Sequence, residues 1–368
     1  MNDRVKLLRQ QMARRKLAVF LVTKSESVRW LSGYTGQDSA TLLVTPRRKF
    51  LMIMQASYRQ ACREAKGWQV VNLNANPRKI ISQTFKKCPG QRLGFEETIP
   101  FNDLALYKRL DGNNRRHYIA TEHFVKMLRM IKTPAEIKLI RQACQMTDEG
   151  FRFACRILRP GLTEAELSWR LERFLRDRGA DQRAFRFVVS FGVNTCSSHH
   201  EATSRRLKPG DIILLDFGIK YRGYVSDITR TMFFGKPNKK LAEIYHHVYR
   251  VQQAALASIR RGITAWELHH LVENMMRTDY RWVIPHAIGH GIGLEVHELP
   301  HFGWKKGLGT NIPLEPNMTF TIEPGIYLPK LGGVRIEDDV LMTTHGYELL
   351  TRAPKKFEEM IISPRISR

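Results

Sequence analysis

Four carboxylates stand inside otherwise apolar, strand-like segments in the C-terminal half of this 368-residue chain. They are Asp216 in "LLDFG", Asp227 in "SDITRT", Glu323 in "TIEPGIY" and Glu337 in "RIEDD". Burying a lone carboxylate costs several kcal/mol unless it is paired, protonated or bound to a cation. Four acids that converge would repel one another, and bound cations would remove that repulsion. The pattern therefore predicts a fold in which separate strands bring these acids together around metal.

Each acid also has a simpler interpretation, which the residues alone leave open. Asp216 could be a capping or turn residue, and Asp227 could pair with Arg230. Glu323 could lie in a solvated loop, and Glu337 could be a surface acid. The recurrence of acids on strands favours the metal site over these separate explanations.

The stretch "HAIGHGIGLEVHELP" at 286–300 supplies histidines for the same site. His286 and His290 are four residues apart, as in a metal-binding helix, but Gly289 and Gly291 make a helix costly. The glycines indicate instead a backbone that passes close to another group. On an extended strand the two histidines would share one face. One would bind metal and the other would contact substrate, while a role as core histidines remains the alternative.

Length and local patterns predict an α/β protein with two domains, residues 1–125 and 126–368. The first domain begins with an amphipathic helix, "DRVKLLRQQMARRK", a strand, "LAVFLVT", and a hairpin, "ATLLVTPRRKFLMIM". The second domain begins with a long helix, whose start at Thr133-Pro134 is marked by a capping box with Glu136.

A weak internal repeat lies in the second domain. The segments "RPGLTEAEL" at 159–167 and "RRGITAWEL" at 260–268 both read R-x-G-[LI]-T-x-x-E-L. Each is a turn that leads into a capped helix. A turn with a capping box is common, but two related halves around one site would also produce this repeat.

The charge and the cysteines limit the class of protein. The net charge of +25 invites a nucleic-acid interpretation, but the basic residues are dispersed and no helix-turn-helix pattern is present, so nucleic acid is not an expected partner. The five cysteines are scattered and never form a CxxC pair, which argues against a disulfide framework. No apolar run is long enough to span a membrane, and we expect a cytoplasmic protein.

Four segments together resemble the signature set of the pita-bread metallopeptidases, over about residues 125 to 365: "LLDFGIKYRGYVSDITRT", "HAIGHGIGLEVHELP", "TIEPGIY" and "GVRIEDD". "SVRWLSGYTG" and "LGFE" resemble pieces of the extra N-terminal domain of the aminopeptidase P, prolidase and creatinase branch. The resemblance implies a creatinase-like mixed α/β domain followed by a pseudo-twofold α+β catalytic domain.

The resemblance also implies two divalent ions, with Mn²⁺ as our first choice and Co²⁺, Zn²⁺ or Fe²⁺ as alternatives. A hydroxide that bridges the ions would be the nucleophile. Asp227 and Glu337 would bridge the ions. The complete ligand set that the resemblance implies is Asp216, Asp227, His290, Glu323 and Glu337.

Further residues match catalytic and substrate positions of the family. Glu323 would also transfer the proton to the leaving nitrogen, and three histidines would hold the scissile carbonyl. Ser198 stands where the family usually has proline, so His200 is an alternative to the first of these histidines. The implied histidines are His199, His286 and His297, and the implied substrate-lining residues are Tyr327 and Arg335.

We expect a metal-dependent Xaa-Pro aminopeptidase that cleaves the N-terminal residue from peptides with proline second. An Xaa-Pro dipeptidase (prolidase) is the runner-up, and a non-catalytic protein of this fold that binds nucleic acid or ribosomes is a third possibility. Family members are often dimers, so a homodimer is expected.

Overall fold

The computed structural model describes residues 2–112, 116–277 and 286–364. The chain forms two compact units, Met1–Arg129 and Met130–Arg368. The domain boundary predicted from the sequence, after residue 125, lies four residues before this division. Within the described part of the chain, no helix combines the length and apolar character needed to cross a bilayer.

The first unit contains six helices and six strands among its described residues. The predicted first helix, strand and hairpin are all present. The helices are α1 (Asn2–Arg14), α2 (Ser25–Ser32), α3 (Gln55–Glu64), α4 (Pro77–Lys86), α5 (Phe101–Leu110) and α6 (Phe124–Arg129). The strands are β1 (Val19–Val22), β2 (Thr41–Val44), β3 (Lys49–Ile53), β4 (Gln69–Asn72), β5 (Arg92–Glu96) and β6 (His117–Thr121).

These six strands form one mixed sheet in the order β4-β3-β2-β1-β5-β6. The antiparallel pairs β1–β2 and β2–β3 follow one another along the chain, whereas β5 pairs parallel with β1. Strand β1 is apolar and buried along its whole length, and β2 is buried except at the half-buried Thr41, as expected for strands covered on both faces of a sheet.

The helices of the second unit begin at side-chain caps that the sequence encodes. Thr133 accepts a hydrogen bond from the Glu136 N–H at 3.3 Å, and the Glu136 carboxylate accepts one from the Thr133 N–H at 2.7 Å. This confirms the predicted capping box, an interaction worth about 1 kcal/mol. The helices are α7 (Pro134–Ile157), α8 (Glu164–Asp177), α9 (Lys239–Ala257) and α10 (Ala265–Arg277).

The described strands of the second unit form two larger sheets, which carry the predicted site residues, and two smaller ones. The four-stranded sheet has the order β20-β12-β9-β8, and the five-stranded sheet has the order β14-β13-β15-β18-β19. Their bounds are β8 (Val188–Phe191), β9 (Ile212–Phe217), β12 (Ile228–Phe234), β20 (Ile361–Ile362), β13 (Gly289–Gly291), β14 (Glu298–Phe302), β15 (Thr319–Ile322), β18 (Asp338–Thr343) and β19 (Gly346–Leu349). The smaller sheets consist of β7 (Gln182–Arg183), β10 (Ile219–Tyr221) and β11 (Tyr224–Val225), and of β16 (Gly325–Leu328) and β17 (Gly332–Arg335).

The internal repeat has a structural counterpart. Thr163 caps α8 and bridges to Arg206, and Thr264 precedes α10 and bridges to Pro313. In both copies the glycine of the turn donates its N–H to a later leucine carbonyl, at 2.9 and 3.0 Å. The two halves of the second unit therefore share one local design of turn, helix and returning segment.

Candidate metal centre

The five predicted ligands lie on, or directly beside, strands of the two larger sheets. Asp216 is near the end of β9, and Asp227 directly precedes the neighbouring antiparallel strand β12. His290 is central in β13, Glu323 directly follows β15, and Glu337 directly precedes β18. Because β13, β15 and β18 are adjacent in the five-stranded sheet, these last three residues lie close together.

The glycines around His290 have a steric role. A Cβ atom on Gly289 would overlap the carbonyl oxygen of Thr321, and one on Gly291 would overlap that of Leu299. The close approach inferred from the sequence is therefore an approach to neighbouring backbone. The predicted strand is shorter than expected, because β13 begins at Gly289 and leaves His286 outside it.

Three of the predicted ligands form a compact cluster. Asp227, His290 and Glu337 each offer a ligand atom, and these atoms lie within 4.8 Å of one another. Glu323 adjoins them, with its Oε1 3.4 Å from the His290 Nε2. Asp216 forms an ion pair with Arg335 through one carboxylate oxygen. The other oxygen of Asp216 and one oxygen of Asp227 are buried without a hydrogen-bond partner.

Burial and mutual repulsion act against ionisation of this cluster. Loss of solvent raises the pKa of Asp227 well above its ordinary value, and the neighbouring Glu337 and Asp216 raise it further. The pKa of Glu337 is raised in the same way, and burial raises the pKa of Glu323 to about 8. Burial lowers the pKa of His290 to about 3, which keeps its ring neutral. A neutral imidazole beside carboxylates is a donor set that binds divalent cations.

We predict that the metal-free protein becomes less stable as the pH rises from about 6.5 to 8. In this window the folded state retains a proton on Glu323, whose pKa is raised to about 8, while the unfolded state has released it. For one proton, the free energy of unfolding would fall by about 2 kcal/mol. Below about pH 6.5 the buried histidines act in the opposite direction, because their pKa values are lowered and the unfolded state binds their protons first.

Urea unfolding of EDTA-treated protein at several pH values measures this effect. Glu323→Gln is the matched control, since it removes one of the titrating groups and should make the pH dependence shallower by the contribution of about one proton. Equal slopes for the wild type and the variant would contradict the assignment.

Hydrogen bonds behind the ligands hold them in place. Thr229 donates its hydroxyl to Glu337 at 2.7 Å and accepts a bond from the Arg335 Nε at 2.9 Å. The backbone N–H of Asp227 donates to Asp339 at 2.9 Å. These partners orient the ligands, as outer groups commonly do in metal sites.

The simpler interpretation of Asp227 as a partner of Arg230 is wrong. Arg230 is fully buried and pairs with Asp338 at 2.7 Å. Successive side chains along a strand alternate between its two faces. Arg230 is three residues after Asp227, so the two side chains point to opposite faces and Arg230 points away from the cluster. Glu337, which could have been a surface acid, is only 2% exposed.

All the predicted substrate residues except Tyr327 line a cavity of about 590 Å³. His286 lies 3.0 Å from the Tyr327 hydroxyl through its Nε2, and burial lowers the pKa of His286 to about 4. His297 packs against His290 with ring centroids 4.3 Å apart. Tyr327 contacts the site through His286 and Arg335 and is not itself part of the cavity wall. The predicted residues that line the cavity are His199, Asp216, Asp227, His286, His290, His297, Glu323, Arg335 and Glu337.

The cavity wall also contains residues that were not predicted from the sequence, among them His301, Arg186 and Glu201. His301 lies opposite His290 in the β13–β14 pair, and a hairpin register would have indicated it. Arg186 and Glu201 form an exposed ion pair in the wall, and no local pattern marks them. His200 also lines the cavity, but its Nε2 lies 2.8 Å from Glu164.

Comparison with known families agrees with this geometry. The profile of metallopeptidase family M24 matches residues 138–344, and that of the creatinase/prolidase N-terminal domain matches residues 4–131. The chain belongs to metallopeptidase family M24. The family resemblance and the two-part fold predicted from the sequence are thereby confirmed: a creatinase-like mixed α/β domain precedes the pita-bread catalytic domain.

Several proteins related to this M24 chain match it over nearly its full length. It is 32% identical over 358 residues to Xaa-Pro dipeptidase of Pyrococcus horikoshii, which covers 97% of this chain and 99% of the relative. A solved Xaa-Pro dipeptidase from Bacillus anthracis is 34% identical with a TM-score of 0.91, over 98% and 99% of the two chains. A solved X-Pro aminopeptidase from Thermotoga maritima is 29% identical with a TM-score of 0.84, over 96% and 99%.

Membership of a metallopeptidase family implies divalent metal ions, and the residues present fit them. The cluster offers carboxylate oxygens and a neutral imidazole, two of the buried carboxylate oxygens lack a partner, and the acids raise one another's pKa. Cations would supply the missing partners and remove the repulsion.

Proposed function

We propose that this M24 protein is an Xaa-Pro dipeptidase that hydrolyses the peptide bond before proline with two bound divalent ions. The convergence of Asp227, His290 and Glu337 within 4.8 Å supports the metal-dependent hydrolysis. The names of the relatives support the substrate, because the Pyrococcus and Bacillus proteins are both called Xaa-Pro dipeptidases. This reverses the order of the two candidates in the sequence analysis.

The proposed ligands are Asp216, Asp227, His290, Glu323 and Glu337, with Asp227 and Glu337 shared between the ions. Divalent cations supply Lewis acidity, which lowers the pKa of coordinated water to about 7. Mn²⁺ is our first choice, and Co²⁺, Zn²⁺ and Fe²⁺ are alternatives that such ligands also bind.

Glu323 is the proposed proton carrier. It is held at the edge of the cluster with its Oε1 3.4 Å from His290. In this role it accepts a proton from the attacking water and returns it to the leaving nitrogen of proline. Its pKa, raised to about 8 by burial in the metal-free protein, shows how strongly this environment favours the protonated carboxyl.

The remaining predicted residues act on the substrate in this proposal. His199, His286 and His297 would hold the scissile carbonyl and stabilise the negative charge that develops on its oxygen. Tyr327 fixes the ring of His286 through their 3.0 Å contact. Arg335 binds and orients Asp216, and it opposes the rise in the pKa of that carboxyl that burial causes.

Xaa-Pro aminopeptidase activity is the second candidate, favoured by the name of the Thermotoga relative. The location in the cytoplasm and the homodimer stay predictions.

We predict that the Mn²⁺-loaded protein cleaves an Xaa-Pro dipeptide at least about tenfold more efficiently than the corresponding Xaa-Pro-Xaa tripeptide, which would correspond to at least about 1.4 kcal/mol. Steady-state assays over a series of peptide lengths measure the ratio, with an Xaa-Ala dipeptide and EDTA-treated enzyme as controls. A preference for the tripeptide would instead support the aminopeptidase. Inactivity on every peptide with metal bound, together with salt-dependent retention of RNA, would favour the nucleic-acid-binding alternative.

A further inference from the structure

Glu164 is a buried carboxylate that the proposed reaction does not use. It is the first residue of α8, and its side chain is completely inaccessible to solvent. A carboxylate in such a place requires nearly all its hydrogen-bonding capacity to be filled. It accepts five hydrogen bonds: on Oε1 from Phe191 N (2.8 Å) and Asn194 Nδ2 (2.9 Å), and on Oε2 from His200 Nε2 (2.8 Å), Thr203 N (2.9 Å) and Thr203 Oγ1 (2.6 Å).

These bonds keep Glu164 ionised. Burial alone would raise the pKa of Glu164, but the bonds from Thr203, His200 and Asn194 outweigh it, and the pKa is lowered overall. All five bonds come from one segment, residues 191–203, which we call the His199 loop. The burial of the charge and the order of this loop therefore depend on each other.

The anchored atoms lie on both sides of His199. Asn194 precedes it by five residues, whereas His200 and Thr203 follow it. On the far side of the loop, Thr195 accepts a hydrogen bond from the Gly333 N–H at 2.8 Å. The Ser198 carbonyl accepts one from Arg335 at 3.4 Å. The loop is thus held between the start of α8 and strand β17, which also carries Arg335.

His199 and His200 are distinguished by the same contacts. Both line the cavity, but His200 is bound to Glu164. His199 lies in the wall of the same cavity as the predicted metal ligand Asp216. Because His200 is bound to Glu164, we assign the substrate role to His199 of this pair.

A general role at the start of a helix does not explain these contacts. Glu166, in the same first turn of α8, is partly exposed and pairs with Arg159 at 3.1 Å and Arg170 at 2.7 Å. Both acids would interact favourably with the helix dipole. Only Glu164 has its two oxygens directed into the His199 loop.

We propose that Glu164 is a positioning residue that fixes the His199 loop, and with it the His199 ring, relative to the metal ligands. The inference rests on the proposed function, because the contact of His199 with the scissile carbonyl belongs to that proposal.

A double-mutant cycle tests this role. The variants Glu164→Gln, His199→Ala and their combination are assayed with Mn²⁺ on an Xaa-Pro dipeptide, and the bound metal is counted by elemental analysis. Glu164→Gln replaces one carboxylate oxygen by an NH₂ group, which is a donor and cannot accept the hydrogen bonds that the His199 loop donates. We expect kcat to fall about 10- to 100-fold, somewhat less than for loss of a complete transition-state donor, with KM and metal content little changed. In the His199→Ala background, adding Glu164→Gln should lower kcat by less than about twofold further, because both substitutions remove the same contribution of His199.

Glu166→Gln is the matched control and should retain wild-type kinetics. Losses that multiply in the double variant, at equal metal content, would overturn the proposal, since a purely structural defect acts independently of His199. If Glu164→Gln does not fold, Thr203→Val takes its place, because it removes one bond of the five and preserves the side-chain shape. Multiplicative losses of Thr203→Val and His199→Ala would likewise overturn the proposal.

A second measurement does not depend on activity. Arg205 and Arg206 follow the His199 loop and are sites for trypsin. Brief digestion of the folded, metal-loaded protein, followed by mass spectrometry, should show cleavage at these sites at least about tenfold faster in Glu164→Gln than in the wild type or Glu166→Gln, as expected when local opening becomes more frequent. Unchanged cleavage would overturn the anchoring. Faster cleavage in a protein that hydrolyses no Xaa-Pro peptide would uphold the anchoring and reject the proposed function.

Discussion

Replacing Asp227 with asparagine should reduce the bound metal from two ions to nearly none and lower kcat/KM by about a thousandfold or more. The magnitude follows from the several kcal/mol of transition-state stabilisation that a metal supplies. The reason is geometric: Asp227 belongs to the cluster whose ligand atoms lie within 4.8 Å of one another, and in our proposal it serves both ions. Elemental analysis after dialysis against Mn²⁺, together with dipeptide assays, provides the measurement.

The stability of the metal-free Asp227→Asn variant shows whether the substitution disturbs folding. One oxygen of Asp227 is buried without a hydrogen-bond partner, and its pKa is raised by burial and by Glu337. Asparagine replaces a buried carboxyl whose ionisation is disfavoured, so the EDTA-treated variant should be at least as stable as EDTA-treated wild type. Asp216→Asn should retain more metal than Asp227→Asn, since Asp216 is assigned to one ion. A normal metal content in Asp227→Asn would refute the bridging role.

Replacing Arg230 with methionine should lower the free energy of unfolding by about 3–5 kcal/mol, the typical effect of breaking a buried ion pair. Arg230 is fully buried, binds Asp338 at 2.7 Å, and donates to the carbonyls of Ala353 and Pro354 at 2.8 and 2.9 Å. Methionine fills similar space but leaves Asp338 with less positive charge and the carbonyls without donors.

Urea unfolding without metal isolates this effect from metal binding. Adding Asp338→Asn should recover part of the loss, because the acid that Arg230 neutralised is then uncharged. Arg173→Met is a matched control on the exposed face of α8, where the ion pair with Asp177 is solvated and worth less than about 1 kcal/mol. An Arg230→Met variant within about 1 kcal/mol of the wild type would contradict the prediction.

Much of the fold could be predicted from the sequence because it depends on interactions between residues that are close along the chain. The capping box at Thr133 depends on residues three positions apart, and the hairpin of β2 and β3 depends on two apolar runs around a short turn. The ligand acids were visible because carboxylates interrupt buried strands, and the family motifs then assigned a role to each.

Contacts between distant segments could not be read in this way. Arg230 binds Asp338, which is 108 residues away in the sequence, and Glu164 binds His200, which is 36 residues away. In the sequence, Glu164 is one of two acids in an ordinary helix start, and only the path of the His199 loop distinguishes it from Glu166. Such pairings depend on how strands are ordered in the sheets, which residue spacing does not encode.

The proposed ligands are divided between two different sheets of the second unit. Asp216 and Asp227 come from the four-stranded sheet, and His290, Glu323 and Glu337 come from the five-stranded sheet. Bound cations would then link the two sheets, because the sheets could not separate without breaking metal coordination. Chelation should consequently loosen the whole catalytic unit and speed its degradation by proteases, so that a cell short of metal would lose the protein as well as its activity.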